Sequence, residues 1–189
     1  NEGINDHRFN LALEEYALRN FNPEKDYLLF YINEPSIIIG RNQITLDEIN
    51  FEYVEENALH VVRRISGGGA VYHDFGNLNF SFITKHDVKS LNNFAKFTEP
   101  VIKILNTMGV PAELKGRNDV LANDKKISGN AQFSTGKRML HHGTLLLDSD
   151  LDEVVKALNV KITKIQSKGH KSSRSRVANI SEFLKEKMN

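Results

Sequence analysis

The period of the apolar positions changes several times along the chain, and each change marks an element. In "NDHRFNLALEEYALRN", Phe9, Ala12, Leu13, Tyr16 and Ala17 recur at helical spacing, with Asn5 or Asp6 as N-cap. "DYLLFYIN" and "SIIIG" read as two strands joined by a turn at Glu34-Pro35. "TLDEINFEYVEEN" returns to helical spacing, with Thr45 as cap and Glu48 at the capping-box position. "LHVVRRI" is strand-like, and "GNLNFSFIT" alternates, with Leu78, Phe80 and Phe82 on one face and Asn77, Asn79 and Ser81 on the other.

"LNNFAKFTEPVIKILNTMG" reads as a helix ended by glycine, in which Pro100 implies a kink or a late start. "VPAELK", "DVLAN", "KKISGNAQF" and "KRMLHHGTLLLD" then read as strands, with "AND" and "STGK" as hairpin turns. "SDLDEVVKALN" is a short helix capped by Ser149 or Asp150. Helices mixed with hairpin-connected strands predict an α+β fold around a largely antiparallel sheet. There is no internal repeat and no low-complexity linker.

Composition narrows the chemistry. At 189 residues the chain is long enough for one domain with a real core. A formal net charge of +1 gives no overall field that would draw it to nucleic acid or membrane. Cysteine is absent, which removes disulfides, thiolate metal sites and a cysteine nucleophile, and is compatible with a cytoplasmic location. No apolar run approaches the roughly 20 residues of a membrane helix. The chain opens on a residue other than Met and stops at "EFLKEKMN"; the expectation is that its C-terminal side is incomplete.

Four stretches carry candidate chemistry. In "RRISGGGAVYHDFG" three consecutive glycines interrupt a strand region, so either they make a tight turn or something approaches the backbone closely. No P-loop pattern is present, and a dinucleotide fingerprint fails because Tyr72 stands where the last glycine belongs. Arg63 and Arg64 point to opposite faces, so one can face the loop. Asn77, Asn79 and Ser81 form either a solvated face or a pocket wall. In "GRNDVLANDKKISGNAQ", Lys125 and Lys126 must also diverge, and an inward lysine can neutralise a transferring anionic group. In "HHGTLL" one histidine can be exposed while the other enters a cleft; neighbours on a strand cannot chelate one ion. From Val154 to Ser181 there is no Asp or Glu, but Lys161, Lys164, Lys168, His170, Lys171, Arg174 and Arg176 are present. That segment is either a solvated basic loop or a surface for a negatively charged partner.

"RRISGGGAVYHDFGNLNFSF", "GRNDVLANDKKISGNAQ" and "HHGTLLLDSDL", in this order, resemble the lipoate–protein ligase A family, and "KGHKSSRSRVANISEFL" fits it too. The resemblance spans essentially the whole chain from "NLALEEYALRN" onward. It implies a catalytic domain of the type shared with biotin protein ligases and related to class II aminoacyl-tRNA synthetases. It implies that ATP is used to make lipoyl-AMP, and that the lipoyl group passes to a lysine of an acceptor domain: an E2 subunit of a 2-oxoacid dehydrogenase complex, or the glycine cleavage H protein. On the same ground, residues 1–189 are expected to be the N-terminal catalytic domain, unfinished at its C-terminal side and without a small accessory domain.

Residue by residue, the resemblance puts Arg64, Gly67, Gly68, Gly69, Ala70, Val71 and Tyr72 on the nucleotide-contacting loop, with Asn118 and Asp119 near the phosphates. It puts Lys126 against both ATP and lipoate, as the catalytic group together with Arg64. Arg64, His73, Lys126 and His142 are implied to contact lipoate, and Asp119 to hold Mg²⁺. The chemistry is coherent: a carboxylate attacking an α-phosphate brings two anions together, so fixed cations and backbone N–H groups are what the step requires. The lipoyl tail calls for an apolar slot, with Phe80, Phe82, Val71 and the "LLL" strand as candidates. Two other readings are an octanoyl transferase that needs no ATP and a non-catalytic lipoate- or adenylate-binding module. Relatives of the first kind use a cysteine nucleophile, which this chain does not have.

Overall fold

A computed structural model describes residues 3–159 and 176–184. Its frame is a six-stranded sheet in the order β1-β5-β9-β8-β7-β6, formed by Tyr27–Ile32, Asn77–Lys85, Arg138–Leu146, Lys125–Ser134, Asp119–Ala122 and Ala112–Lys115 respectively. Every pairing in it is antiparallel. A three-stranded sheet, β3 (His60–Arg63), β2 (Ser36–Ile39) and β4 (Val71–His73), stands apart, and β2 pairs parallel with β3. The α+β class with a largely antiparallel sheet therefore holds. The turn at Glu34-Pro35 joins two sheets rather than two paired strands.

The two faces of the large sheet are covered differently. On one face lies helix α4 (Phe94–Thr107), with a 3-10 turn at Ile180–Phe183, over Phe80, Leu105, Val110, Ile127 and Ile180. Each fully buried large apolar side chain there contributes about 1.5–3 kcal/mol. Asn93 caps α4 through Lys96 N, and Pro100 lies inside the helix, so its start is not delayed to the proline. On the other face lies helix α1 (His7–Asn20), with Ala17 and Leu18 against Ile83 and Leu140. Asp6 caps α1, accepting from Arg8 N and Phe9 N.

The stripe read along α1 is not the one that packs. Phe9 and Tyr16 are exposed, and the buried positions are His7, Asn10, Glu14, Ala17 and Leu18. The helix covers a polar part of the sheet, so it turns polar residues inward. Asn77, Asn79 and Ser81 are all buried, which removes the solvated-face alternative for that strand.

The segment read as one helix from Thr45 is two, α2 (Thr45–Glu48) and α3 (Phe51–Glu56). Asn50 breaks it by accepting from Tyr53 N as the cap of α3, while Ile49 is buried and bridges to Leu158; Thr45 is not the cap. Helix α5 (Leu151–Ala157), capped by Asp150, packs with α3 against the small sheet through Ile37, Ile39, Ile49, Val54, Tyr72 and Ala157. The "AND" turn carries positive φ at Asn123 and Asp124, as a tight hairpin requires. The basic residues Lys161, Lys164, Lys168, His170, Lys171 and Arg174 lie outside the described residues.

Candidate active site

A cavity opens where the α1 face of the large sheet meets the loop between β3 and β4. Of the residues singled out in the sequence, it is lined by Arg64, Gly68, Gly69, Ala70, Val71, His73, Asn118, Lys126 and His142. Tyr31, Asn79, Gly129, Asn130 and Thr144 complete much of its wall. Three expected residues are not in the wall. Gly67 presents its carbonyl to Arg64 instead. Tyr72 alternates away from Val71 and His73 and is buried in the core under α3 and α5. Asp119 is placed by its ion pair with Lys126.

The glycine loop is wrapped around Arg64. Its Nε donates to Ser66 Oγ at 3.1 Å, Nη1 to the Ile38 carbonyl at 3.0 Å, and Nη2 to the carbonyls of Gly67 and Gly69 at 2.7 and 2.8 Å. Four of the five N–H donors of a guanidinium are thus engaged within the protein. Gly68 has φ +99°, and a Cβ there would lie 2.8 Å from Arg64 Nη2, so this glycine is required both for its conformation and for the arginine beside it. The triplet is therefore a turn and a close approach at once. Burial pushes the Arg64 guanidinium down to about 10, against the pull of Glu14 and Tyr31, which leaves it charged at neutral pH. Arg63, on the opposite face, is spent on the carbonyls of Gly40, Arg41 and Gln43.

Lys126 reaches the cavity through an irregularity. Asp119 faces Gly129 across β7 and β8, and the register shifts between Val120 and Leu121, so that Lys126 rather than Ile127 faces Leu121. In a regular strand, residues three apart point to opposite faces; the extra residue restores Lys126 to the face of Gly129 and Asp119. Lys126 Nζ lies 2.9 Å from Asp119 Oδ1, and both side chains are 38% exposed. A Cβ at Gly129 would lie 2.9 Å from that Nζ, so the glycine makes room for the amine. Lys125 diverges, as expected, toward Glu182 at 3.3 Å. Asn118 and Asn130 clasp each other: Asn118 Nδ2 donates to the Asn130 carbonyl at 2.7 Å, and Asn130 Nδ2 to the Asn118 carbonyl at 3.1 Å.

Both adjacent histidines are buried, so neither is the exposed one the alternation allowed for. His141 stacks on Phe97 at 4.8 Å on the α4 side, and burial holds its imidazole down at about 3. His142 turns to the α1 side. Its Nδ1 is 3.0 Å from Glu14 Oε2, and its Nε2 is 2.6 Å from Ser66 Oγ. Tyr31 donates to Glu14 at 2.9 Å, and Ser81 donates to it as well. Burial alone would raise the Glu14 carboxyl, but His142, Ser81 and Tyr31 outweigh it and hold it below its ordinary value. A buried chain thus runs from Glu14 through His142 and Ser66 to Arg64.

Glu14 and Ser66 were not singled out from the sequence. Their signals were slight: His7, Asn10 and Glu14 share a helical stripe with Ala17 and Leu18, and Ser66 directly precedes the glycines. The apolar residues expected to line a slot are not gathered at the cavity. Phe80 and Phe82 pack toward His141 on the opposite face, and Leu145 belongs to the core there; of the candidates, only Val71 lines the cavity.

The cavity thus joins a lysine, an arginine-braced glycine loop and buried polar side chains. Residues 6–189 match the model of the lipoyl protein ligase A/B catalytic domain, and the chain belongs to that family. It is 65% identical over 188 residues to lipoate-protein ligase LplJ of Bacillus subtilis, covering 100% of this chain and 57% of that protein. The fold matches a bi-partite lipoate protein ligase of Thermoplasma acidophilum, described with its E2 lipoyl domain, at a TM-score of 0.85 and 36% identity, covering 96% of this chain and 72% of that one. It also matches a crystal structure of lipoate-protein ligase A bound with ATP at a TM-score of 0.81 and 32% identity, covering 97% and 75%. The chain spans about half the length of the curated relatives it matches.

Proposed function

We propose that the protein activates lipoate with ATP and transfers the lipoyl group to a lysine of an acceptor domain, with residues 1–189 supplying the catalytic domain. The observation that carries this reading is that Lys126, partly exposed, lines one cavity together with Gly68, Gly69 and Ala70 of the glycine loop. In the first step the lipoate carboxylate attacks the α-phosphorus of ATP, the phosphoanhydride bond breaks, and pyrophosphate leaves. Lys126 offsets the charge of the two approaching anions. Gly69 and Ala70 line the wall without bulky side chains, so the adenylate can lie along the backbone. Arg64, with four donors engaged, holds that wall in shape and adds its positive charge.

In the second step the amine of the acceptor lysine attacks the acyl carbonyl and AMP leaves. Lys126, beside the carbonyl, stabilises the oxyanion that forms. His73 and His142 line the same cavity, and the acyl tail is proposed to lie against them.

Mg²⁺ accompanies ATP in this reading. Asp119 is paired with Lys126, and among the described residues no three His, Asp or Glu side chains converge to hold a metal. The cation would therefore be held by the nucleotide's phosphates with Asp119 as its protein oxygen, where it supplies charge neutralisation.

The acceptors proposed are E2 lipoyl domains, to which the neighbouring ligase described with its E2 lipoyl domain lends support, and the glycine cleavage H protein. Among the described residues no helix is long and apolar enough to cross a membrane. A ligase that consumes ATP and modifies such acceptors is placed, on this proposal, in the cytoplasm. The test is lipoate-dependent exchange of labelled pyrophosphate into ATP by the full-length protein. Exchange that requires lipoate supports the reading, and no exchange with ATP, Mg²⁺ and lipoate all present contradicts it.

A further inference from the structure

Glu14 is buried under α1 and receives three side chains. Tyr31 and Ser81 donate to its Oε1, and His142 Nδ1 lies 3.0 Å from its Oε2. Burial would raise its carboxyl, but His142, Ser81 and Tyr31 hold it below its ordinary value, so it is ionised at neutral pH and offers acceptors only. His142 Nδ1 must therefore carry a proton. In the neutral ring Nε2 is then bare, and it accepts from the Ser66 hydroxyl 2.6 Å away. With its proton spent there, Ser66 Oγ turns a lone pair to Arg64 Nε–H at 3.1 Å. Each group donates to the next, from Arg64 inward to Glu14.

This relay ties together α1, β9 and the loop after β3, through links between residues 128 and 76 positions apart. Its outer end carries the cavity wall. Arg64 Nη2 holds the carbonyls of Gly67 and Gly69, and Gly68 and Gly69 line the cavity. Burying a carboxylate and a guanidinium costs desolvation, and packed apolar residues in their place are often as stable or more so. Stability alone therefore does not account for the arrangement, whereas fixing the guanidinium in one orientation does.

We propose that Glu14 is a positioning residue for the adenylation step: acting through His142 and Ser66, it sets the orientation of Arg64, and with it the glycine loop against which the nucleotide lies. The inference rests on reading the cavity as the site of adenylation. Glu14→Gln probes the relay because it keeps the size of the side chain. With Tyr31 and Ser81 still donating to its Oε1, the glutamine turns its Nε2–H groups to His142 Nδ1. The imidazole must then carry its proton on Nε2 and donate to Ser66. The Ser66 hydroxyl hydrogen is left to face Arg64 Nε–H, and the last link breaks with no atom removed from the loop.

The test is lipoate-dependent pyrophosphate exchange by the full-length protein, read as kcat/KM for ATP at saturating lipoate. Wild type is compared with Glu14→Gln, Ser66→Ala and the double variant. Each single change should lower the value about tenfold or more. The double variant should be no lower than the poorer single one, since without the hydroxyl a change at residue 14 has no route to Arg64. Two independent losses at buried sites would multiply instead, to about a hundredfold. Multiplied losses, or an unchanged value in a folded Glu14→Gln protein, overturn the inference and leave the adenylation site standing. If either variant does not fold, the nitrogen-15 shifts of the His142 ring in the wild type at pH 8 decide. A proton on Nδ1 supports the relay, and a proton on Nε2 alone overturns it. Absence of exchange in the wild type overturns the adenylation reading and this inference together.

Discussion

Lys126 and Asp119 form an ion pair, Nζ to Oδ1 at 2.9 Å, directly above the bare backbone of Gly129. Both side chains are more than a third exposed, so the pair contributes little to stability, at most about 1 kcal/mol. Its importance is positional: it parks the cation at the mouth of the cavity. Replacing Lys126 with Ala should therefore leave the melting temperature nearly unchanged and reduce both lipoyl-AMP formation and lipoyl transfer by about a hundredfold or more. Separate assays of pyrophosphate exchange and of transfer from synthetic lipoyl-AMP check both halves. An unchanged rate in either removes Lys126 from that step.

Gly129→Ala offers a subtler version of the same experiment. The added methyl meets only the flexible end of Lys126, at 2.9 Å from Nζ and 3.0 Å from Cε. The fold should absorb it, with a stability change below about 1 kcal/mol. The amine, however, is displaced by a distance that matters to in-line chemistry, so the rate should fall about tenfold or more. A normal rate would mean that Lys126 tolerates the shift.

Gly68 and Gly69 should respond differently to the same change. Alanine at Gly68 is strained by φ +99° and presses on Arg64, so it should lower stability as well as binding, by about 1–3 kcal/mol. Alanine at Gly69 meets nothing within 4 Å and adds its methyl to the cavity wall, so it should weaken nucleotide binding in a protein of unchanged melting temperature. Thermal unfolding and ATP titration of the two variants separate these effects.

Acid should destabilise the protein before its carboxylates titrate. His73 and His141 are held at about 3 in the fold, against 6.5 when exposed. Unfolding below pH 6.5 therefore takes up protons that the folded state refuses, and stability falls as pH drops from 6.5 toward 3. Two such groups give a slope of about 2.7 kcal/mol per pH unit once well below 6.5. Glu14, held below its ordinary value, adds a further loss at lower pH. Denaturant midpoints between pH 6.5 and 5 should show the trend, and His141→Phe should roughly halve the slope in that window. A flat profile would contradict the neutrality of both rings.

How much of this was legible in the sequence depends on whether an element's role is local. Strand alternation correctly separated Arg63 from Arg64, Lys125 from Lys126 and His141 from His142, because period two is a property of the backbone. It could not say that both sides of β9 are covered, since that depends on α1 and α4 arriving from elsewhere in the chain. The helical stripe of α1 misled for a related reason: Phe9 and Tyr16 are apolar but exposed, while Glu14 is buried by partners 17 to 128 residues away. The bulge that turns Lys126 toward Gly129 leaves no mark in composition or spacing. The glycine triplet posed the right question, yet only the folded loop shows that Gly68 makes room for Arg64 while a side chain at Gly69 would meet open space.

The most direct test is a crystal structure of the full-length protein grown with lipoyl-AMP. Density for the adenylate along the backbone of Gly69 and Ala70, with Lys126 Nζ moved from Asp119 to between acyl carbonyl and phosphate and the acyl tail beside His73, is the predicted result. Lipoyl-AMP bound elsewhere, or bound in this cavity with Lys126 still paired to Asp119 and out of reach of the ligand, would contradict it.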